Sequence, residues 1–416
     1  MLFALPLEAR AMAHEDSRRR GFKDRTRVDR ARGELADRVT PHRRTETVPL
    51  AQAVGRTTAM TITADRNVPH YDRAAMDGYA VRAADTYGAS TQAPVTLTLD
   101  AAVDHGTAVR VHTGSELPEG ADAVVKIEDV EQQGNRLEVF DPVAGKENVG
   151  QTGEDVPEGM DLYATGHRLR PSDIGLLKSV GHATVEVVEQ PTMSVIPTGE
   201  ELVQSNPSPG EIIETNGLTV SALVENWHGD PTYRDVVTDD VDALRTAIQS
   251  DLDHDLIVTT GGSSVGERDL VPEIVADLGA VFVHGVALKP GHPVALGAIS
   301  ETPILMLPGY PVACIVNAVQ FLRPAIAWAA GASSEPLPSV RAELTGKIRS
   351  EAGHRTFARV AIERSGEEVR ATPVRASGAG VLSSVTQADG WIAVPEAREG
   401  YAAGETVPVE YWEGVA

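Results

Sequence analysis

Cysteine is nearly absent from this sequence, which limits the redox and metal chemistry that the chain can carry. The 416 residues include one cysteine, Cys314, so they cannot form an internal disulfide or a zinc cluster built on cysteines. The segment PVACIV around Cys314 is apolar, which predicts that the thiol is buried and acts as a small hydrophobic side chain. The chemistry of the chain must therefore come from oxygen and nitrogen groups.

Aromatic residues are also scarce, at 4% of the chain, whereas hydrophobic residues as a whole make up 42%. The cores must therefore be built mainly from valine, leucine, isoleucine and alanine. This apolar content is enough for several packed cores and does not resemble bulk disorder. A chain of 416 residues predicts about three domains from its length alone.

Positive charge is the third shortage. The sequence has 37 basic and 60 acidic residues and a net charge of -23, which disfavours nonspecific attachment to nucleic acid or to anionic lipid. Lysine is especially rare, and an acidic, lysine-poor surface is typical of proteins that stay hydrated in high salt, so we expect a halophilic, haloarchaeal-type protein. If the ligand is an anion, local donors must bind it, because the overall field repels it.

Long hydrophobic runs are missing as well. None approaches the roughly 18 apolar residues of a membrane span. The opening MLFALPL is too short for a secretory core and has no basic residues before it. We therefore expect a cytoplasmic protein with no membrane partner and no nucleic-acid partner.

The pattern of apolar and polar residues changes several times along the chain. Val28, Ala31 and Leu35 recur at helical spacing, short β-rich runs follow, and mixed character then returns before an alternation of strands and helices. The predicted boundaries are 1–16 for an N-terminal extension, 17–60 and 152–189 for a discontinuous domain I, 61–151 for an inserted β-rich domain II, 190–338 for an α/β domain III and 339–416 for a C-terminal β domain IV.

The α/β segment carries the clearest pattern. LTVSALVENW and DDVDALRTAIQSDL show helical spacing, and Asp239 or Asp240 is suited to cap the second of these helices. The buried runs TMSVIPTG, DLIVTTGGSS and TPILMLPGYP end in turns, and VACIVNAVQFLRPAIAWAAG is a long helix. Such alternation implies parallel strands with right-handed crossovers. The predicted fold class is multidomain α/β plus β, with a three-layer α/β domain, an inserted β domain and a small C-terminal β domain.

Ligands of open α/β sheets bind beyond the carboxyl ends of the strands. One such loop contains Gly261, Gly262 and Gly266, which let the backbone approach a ligand, and Ser263 and Ser264, which add hydroxyl donors. The following helix offers unpaired N–H groups that suit a phosphate. A Gly-Gly turn can equally serve only to turn the chain, and neither a Walker A lysine nor a GxGxxG fingerprint is present.

Three acids, Glu201, Asp239 and Asp269, follow strand ends of the same domain. Acids that face a phosphate site repel it unless a cation intervenes, which implies a hard divalent ion such as Mg²⁺. Under the alternative interpretation, Asp239 is only a helix N-cap and Glu201 is a first-turn acid that faces the helix dipole. Asp72 and Asp155 in the first half lie in loop-like segments that could be ordinary acidic turns.

Seven motifs occur in one order: AMDGYAV, VHTGSELPEGADAVV, GED, PTGEEL, GGSSVGERD, KPGHP and LPGYPV. Together they resemble the molybdopterin molybdenumtransferase family, to which the E domain of gephyrin also belongs, over residues 17–416. The resemblance implies four domains and an elongated homodimer whose active site combines the α/β domain of one subunit with the inserted domain of the other. It also implies Mg²⁺ as cofactor and insertion of molybdate into adenylylated molybdopterin with release of AMP. A molybdopterin adenylyltransferase is a candidate partner.

The functional positions of the family transfer to this sequence motif by motif. The matched catalytic residues are Asp72, Asp155, Glu201, Asp239, Asp269 and Lys289, of which Glu201, Asp239 and Asp269 match the metal ligands. The matched substrate-binding residues are Thr113, Gly261, Gly262, Ser263, Ser264, Gly266, His292, Pro308, Pro311, Arg355, Arg359, Ser377 and Ser383. A salt bridge within a strand is the alternative interpretation of Arg359.

Two loops depart from the family pattern. His292 replaces the second lysine of KPGKP, and LPGNPVS reads LPGYPVA, which places Tyr310 and Ala313 where the family has asparagine and serine. Histidine is mostly neutral at pH 7, so the oxyanion pocket should be weaker or differently shaped. The departures leave open a tungstate-specific paralogue, or a pterin-binding carrier or scaffold without turnover. The missing Walker lysine disfavours a generic nucleotide-dependent transferase.

Overall fold

The computed structural model describes residues 25–262, 270–374 and 380–413. These residues divide into two compact units. The larger unit combines the described residues up to Arg44 with those from Val188 onward, and the smaller unit spans Thr45–Val187.

A six-stranded sheet forms the centre of the α/β domain in the larger unit. Its order across the sheet is Asp230–Tyr233, Thr192–Pro197, Leu256–Thr260, Thr302–Leu307, Ala295–Ile299 and Ala280–His284. The first four strands are parallel, and the last two pair antiparallel at one edge.

The antiparallel edge corrects the expectation of parallel pairing throughout this sheet. Ala295–Ile299 and Thr302–Leu307 are joined only by Ser300 and Glu301, and a connection this short can form only a hairpin. Ser300 has a φ of 54°, the left-handed conformation that such turns require. The sequence interpretation passed over the strand Ala295–Ile299 because alanine and glycine have low β propensity.

Helices cover both faces of the sheet, which confirms the three-layer prediction. Successive strand residues point to opposite faces, so Val195 and Val258 enter one core whereas Ile196 and Ile257 enter the other. The helices that pack on these two cores are Asn216–Asn226 and Pro311–Asn317 on the first, and Val241–Ser250 and Leu270–Leu278 on the second.

The helix Val28–Ala36 also packs in the first of these cores. Its buried residues are the predicted ones, Val28, Ala31 and Leu35. In the structure this segment belongs to the same compact unit as the α/β domain. The helical pattern is a local property that the sequence reveals. The core against which the apolar face packs depends on residues far away in the sequence.

The long apolar helix predicted near the end of the α/β domain is present with one irregular turn. It consists of Pro311–Asn317, a π-helical segment Ala318–Leu322, and Arg323–Ala329. The expectation that no run approaches a membrane span was wrong for this stretch, which among the described residues is long and apolar enough to cross a membrane. However, 83% of it is buried inside the protein. That burial is typical of a core helix.

A second sheet forms the C-terminal β domain. Its strands are Ser339–Leu344, Arg355–Ser365, Glu368–Pro373, Gly390–Val394 and Thr406–Glu410, with the short pair Ile348–Arg349 and Gly400–Tyr401 beside it and a short helix at Ser383–Thr386. The strand Leu288–Lys289 of the α/β domain adds to this sheet in parallel, with Leu288 opposite Arg355 and Lys289 opposite Thr356. This pairing brings the KPGHP loop to the C-terminal domain. A small parallel pair, Leu202–Val203 with Ile212–Ile213, lies elsewhere in the unit.

The smaller unit is built around a six-stranded sheet between residues 78 and 139. Its strands, in order across the sheet, are Ala123–Lys126, Gly78–Val81, Thr107–Val111, Val95–Leu99, Arg136–Val139 and Val130–Gln133. The remaining elements are the strand pairs Thr45–Pro49 with Thr184–Val188, Ile62–Thr63 with Asp161–Tyr163 and Arg73–Ala74 with Val149–Gly150, the helix Pro171–Ser179, and the 3-10 turns Leu50–Gln52, Ala83–Thr86 and Ile127–Asp129.

Candidate functional site

The candidate site begins at the carboxyl edge of the parallel strands, where Gly261 and Gly262 follow Leu256–Thr260. Gly261 has a φ of 115°, and a Cβ atom there would lie 2.3 Å from the carbonyl oxygen of Thr198. Gly262 has a φ of 65°, and its Cβ would lie 2.9 Å from the Thr198 hydroxyl. Both positions therefore require glycine, because the two strand-end loops touch there. Ser263, Ser264, Gly266 and Asp269 lie outside the described residues.

The LPGYP loop follows the neighbouring strand. Pro311 opens its helix, where the missing N–H of proline costs nothing. Asn216 donates its side-chain N–H to the Gly309 carbonyl, at 2.7 Å, and so holds the loop that begins at Pro308. Tyr310, at the position where the family has asparagine, is 65% exposed.

A buried acid that the sequence interpretation missed lies close to this loop. Glu214 is 5% exposed, accepts the Gly217 N–H at 2.6 Å and accepts a hydrogen bond from the Tyr233 hydroxyl. Its position just before a helix, in the run ETNG, is the signal that could have revealed it. Burial of an acid is costly unless it is hydrogen-bonded, and these two donors meet that need.

The structure brings Glu201 and Asp239 together. Burial raises the pKa of Asp239, and the charges of Glu201 and Glu200 raise it further. Asp239 Oδ1 is buried and has no hydrogen-bond partner among the described residues. The N-cap of the helix Val241–Ser250 is Asp240, which accepts the N–H groups of its second and third residues, so Asp239 is not needed as a cap.

This pair suits a cation but does not complete a site. A buried carboxylate whose pKa is raised by burial and by a neighbouring acid, and which leaves an oxygen unpaired, is relieved by a hard metal ion. Residues 25–262, 270–374 and 380–413 contain no group of three or more His, Cys, Asp or Glu side chains placed to hold a metal. Asp269, the third ligand expected from the sequence, is not among these residues.

The KPGHP loop is tied to the start of the long helix by a residue that the sequence interpretation missed. Asn317 is fully buried, and its side-chain nitrogen donates to the carbonyls of Gly291, at 2.9 Å, and Ala313, at 2.8 Å. A Cβ atom on Gly291 would lie 2.2 Å from that nitrogen, so only glycine fits. Lys289 and His292 are thereby held next to the LPGYP loop.

Lys289 and His292 lie in a cluster of ionisable groups. Lys289 forms an ion pair with Glu351, on the turn before the strand Arg355–Ser365. Burial lowers the pKa of His292, and the nearby charges of Arg25, His354 and Lys289 lower it further. His292 is therefore a neutral imidazole near pH 7.

The arginines of the C-terminal domain differ in their surroundings. Arg355 binds both oxygens of Asp29, each at 2.8 Å, and also Glu396 at 3.1 Å. A salt bridge was the alternative interpretation of Arg359, and the structure has such salt bridges at Arg355. Arg359 is half-buried, and burial lowers the pKa of its guanidinium. Ser383 is exposed at the start of its short helix, and Ser377 lies outside the described residues.

In the smaller unit, two loop aspartates each hold a threonine. Asp77 Oδ1 accepts the N–H of Thr113 at 2.7 Å and its hydroxyl at 2.9 Å. Asp72 Oδ1 accepts the N–H and hydroxyl of Thr152, both at 2.7 Å. These hydrogen bonds lower the pKa of both aspartates. Asp155 is exposed in the turn that follows.

These features define a class of protein. It is a multidomain α/β protein with a glycine turn at the carboxyl edge of its parallel strands, a pair of neighbouring carboxylates and a loop that carries Lys289. It also carries a separate β-rich unit with threonine and aspartate loops.

Known families and structures identify the family within this class. The chain matches the description "MoeA N-terminal region (domain I and II)" over residues 26–181. It matches "Probable molybdopterin binding domain" over 194–328 and "MoeA C-terminal region (domain IV)" over 341–412.

Relatives extend along nearly the whole chain. It is 33% identical over 384 residues to the molybdopterin molybdenumtransferase of Bacillus subtilis, which covers 88% of this chain and 89% of that protein. It is 35% identical over 388 residues to a Methanocaldococcus jannaschii protein named for molybdopterin biosynthesis, with 90% and 94% covered. The crystal structure of the molybdopterin biosynthesis moeA protein from Pyrococcus horikoshii OT3 aligns with a TM-score of 0.82 and 32% identity, covering 93% of this chain and 100% of that one. The chain belongs to the molybdopterin molybdenumtransferase (MoeA) family.

Proposed function

We propose that this chain is a cytoplasmic, Mg²⁺-dependent molybdopterin molybdenumtransferase that inserts molybdate into adenylylated molybdopterin and releases AMP. The observation that carries the proposal is the joining of three features at one sheet edge: the Gly261–Gly262 turn, the Glu201–Asp239 pair and the loop of Lys289 and His292. A substrate with phosphates at one end and an oxyanion acceptor at the other needs these features together.

The phosphates of the substrate bind over the glycine turn. Gly261 and Gly262 let this turn pack closely against Thr198 and Val271. The N-terminus of the following helix adds N–H donors in this proposal. Ser263, Ser264 and Gly266 complete this cradle in the proposal. Pro308 and Pro311 shape the neighbouring loop, which Asn216 holds in place.

The acids Glu201 and Asp239, together with Asp269, would hold Mg²⁺. The unpaired Asp239 oxygen and the raised pKa of Asp239 are the structural support for this assignment. When bound, Mg²⁺ supplies neutralisation of phosphate charge. The carboxylates themselves position the phosphates and keep the anhydride that is hydrolysed in a fixed orientation.

Molybdate binds at the other end of the site as a substrate. Lys289, His292 and Arg359 position it, and Ser377 and Ser383 add hydroxyl donors. The dithiolene thiols replace oxo ligands of molybdate, which take up the thiol protons and leave as water. Hydrolysis of the adenylate bond by water releases AMP and makes the cycle irreversible. Arg355 acts indirectly in this scheme, because Asp29 and Glu396 already occupy its guanidinium.

A homodimer completes the site in this proposal. Asp72, Thr113 and Asp155 of the partner subunit approach the α/β domain from the inserted β domain, as the family resemblance implies. Asp77 fixes the Thr113 hydroxyl and so joins this set as a positioning residue. A molybdopterin adenylyltransferase would supply the adenylylated pterin.

Two alternatives are favoured by the loop departures at His292, Tyr310 and Ala313. One is a tungstate-specific enzyme, and the other is a pterin-binding carrier or scaffold without turnover. The neutral imidazole of His292 favours the scaffold, because a permanent cation is missing from the anion site.

The test is AMP release from adenylylated molybdopterin with Mg²⁺ in high-salt buffer, with molybdate compared to tungstate. We expect release that depends on one oxyanion and is lost in Asp269→Asn. Tight pterin binding without AMP release, in the presence of either molybdate or tungstate, would instead support the pterin-binding scaffold.

A further inference from the structure

The turn that carries Glu351 lies directly beside the KPGHP loop. Lys289 pairs with Thr356 in the C-terminal sheet, and the turn Glu351–His354, closed by a 3.1 Å bond from the His354 N–H to the Glu351 carbonyl, precedes that strand. The Glu351 carboxylate thereby reaches Lys289 Nζ. The sequence separates these residues by 62 positions, and only the added strand brings them together.

The charges around this contact are unbalanced. Lys289 and Arg25 are permanent cations, and the pKa of both His292 and His354 is lowered by burial and then by neighbouring positive charge. Glu351 supplies the negative charge, and its bond to Lys289 lowers its pKa. Adjacent Arg355 is already paired with Asp29 and Glu396.

The contact is also easy to open. The side chain of Glu351 is 62% exposed and that of Lys289 is 41% exposed. Ion pairs with this exposure are weak because water screens them. A carboxylate on a surface turn can therefore leave Lys289 without disturbing a packed core.

We propose that Glu351 is a specificity-determining residue that occupies the anion's place at Lys289 and is displaced when the oxyanion substrate binds. The inference rests on the proposed function, since it concerns the oxyanion end of that site. When Glu351 is in place, its single negative charge faces the two positive charges of Lys289 and Arg25. When Glu351 is displaced, a dianion such as molybdate balances both positive charges. A monoanion only replaces the negative charge of Glu351 by its own, so its binding gains little electrostatic energy. Glu351 thus selects dianions over monoanions such as nitrate.

The first test is a double-mutant cycle with molybdate alone as the probe and the full chain titrated by calorimetry. E351Q should tighten molybdate binding about two- to fivefold, the range expected when an exposed ion pair no longer competes. In a Lys289→Gln background the same change should alter the dissociation constant by less than about 1.5-fold, because the competition no longer exists. The matched control is Glu368→Gln, which removes an exposed acid paired with Arg370 in the same domain and should leave binding unchanged.

The second test uses nitrate as a competitor of molybdate. Nitrate should weaken molybdate binding to E351Q more than binding to the wild type. The proposal is overturned if E351Q binds molybdate no more tightly than wild type, if it tightens binding equally without Lys289, or if nitrate competes equally in both proteins. It is also overturned if neither protein binds molybdate or tungstate. AMP release is measured separately, so an inactive protein that shows the expected binding pattern would contradict the transferase proposal and leave the role of Glu351 intact.

Discussion

Asp77 holds Thr113 through two hydrogen bonds to a single carboxylate oxygen, from the N–H at 2.7 Å and from the hydroxyl at 2.9 Å. The hydroxyl proton is thus directed at Asp77, and the oxygen lone pairs of Thr113 face away from it. The orientation of Thr113, a residue matched through the family resemblance, therefore depends on Asp77, which is not one of the matched acids.

We expect Asp77→Ala to lower kcat for AMP release by up to about 100-fold, because a small displacement of a positioning group has effects of that order. Thermal stability should change little, since both residues are exposed. The matched control is Asp100→Ala, which removes an exposed aspartate that accepts one backbone N–H in the same unit. Wild-type turnover in Asp77→Ala would contradict the positioning role.

Asp239→Asn should abolish stabilisation by Mg²⁺. A ligand at 100 times its dissociation constant adds about 2.7 kcal/mol to the free energy of unfolding, which thermal denaturation detects. Asp240→Asn is the matched control, because asparagine keeps the helix cap while one negative charge is removed. An unchanged Mg²⁺ response in Asp239→Asn would remove this residue from the metal site.

The same substitution should affect the pH dependence of stability without Mg²⁺. The pKa of Asp239 is raised in the folded state, so its contribution to stability is complete below its unfolded pKa and is lost as the pH rises through the folded value. Asp239→Asn should therefore gain stability over wild type towards neutral pH, by less than about 1 kcal/mol because solvent screens this partly buried group. Equal stability of the two proteins from pH 4 to pH 7 would contradict the raised pKa of Asp239.

His292→Lys should tighten molybdate binding at pH 7.5 by up to about 30-fold, the effect of one added charge on a dianion at contact distance in water. The pKa of His292 is lowered, so the wild-type imidazole gains its proton only at a pH below the ordinary range of histidine, and wild-type affinity should rise as the pH falls into that region. His292→Lys should show a weaker dependence, with the remainder arising from His354. His105→Lys, at an exposed histidine of the smaller unit, controls for the added charge. Equal affinities at pH 7.5 would remove residue 292 from the oxyanion pocket.

Arg32 compensates for a proline in the long helix. Pro324 has no N–H to donate at this irregular turn. Arg32 Nε donates to the carbonyl of the buried Gln320 at 3.1 Å, and another guanidinium nitrogen of Arg32 donates to the Gln320 side-chain oxygen. We expect Arg32→Met to lower the free energy of unfolding by about 1–3 kcal/mol, the cost of a buried carbonyl left without a donor. Arg30→Met on the same helix, where the arginine is exposed and paired with Glu34, should cost far less in denaturant unfolding. Similar losses in both variants would contradict this role of Arg32.

The sequence by itself determined the layered α/β domain, its helices and its glycine turn. Val28, Ala31 and Leu35, the helix after Asp240 and the buried strands were readable because periodicity and capping are local properties. The order of the seven motifs also led to the correct family, since no fold is needed to compare them.

Only the tertiary structure decided which side chains meet. Glu351 lies 62 positions from Lys289 and Thr113 lies 36 positions from Asp77, and no local pattern marks either contact. The antiparallel edge and the burial of Glu214 likewise follow from strand order and packing. Periodicity tells which face of an element is apolar, but the partner of that face depends on topology and register, which are set by the whole chain at once.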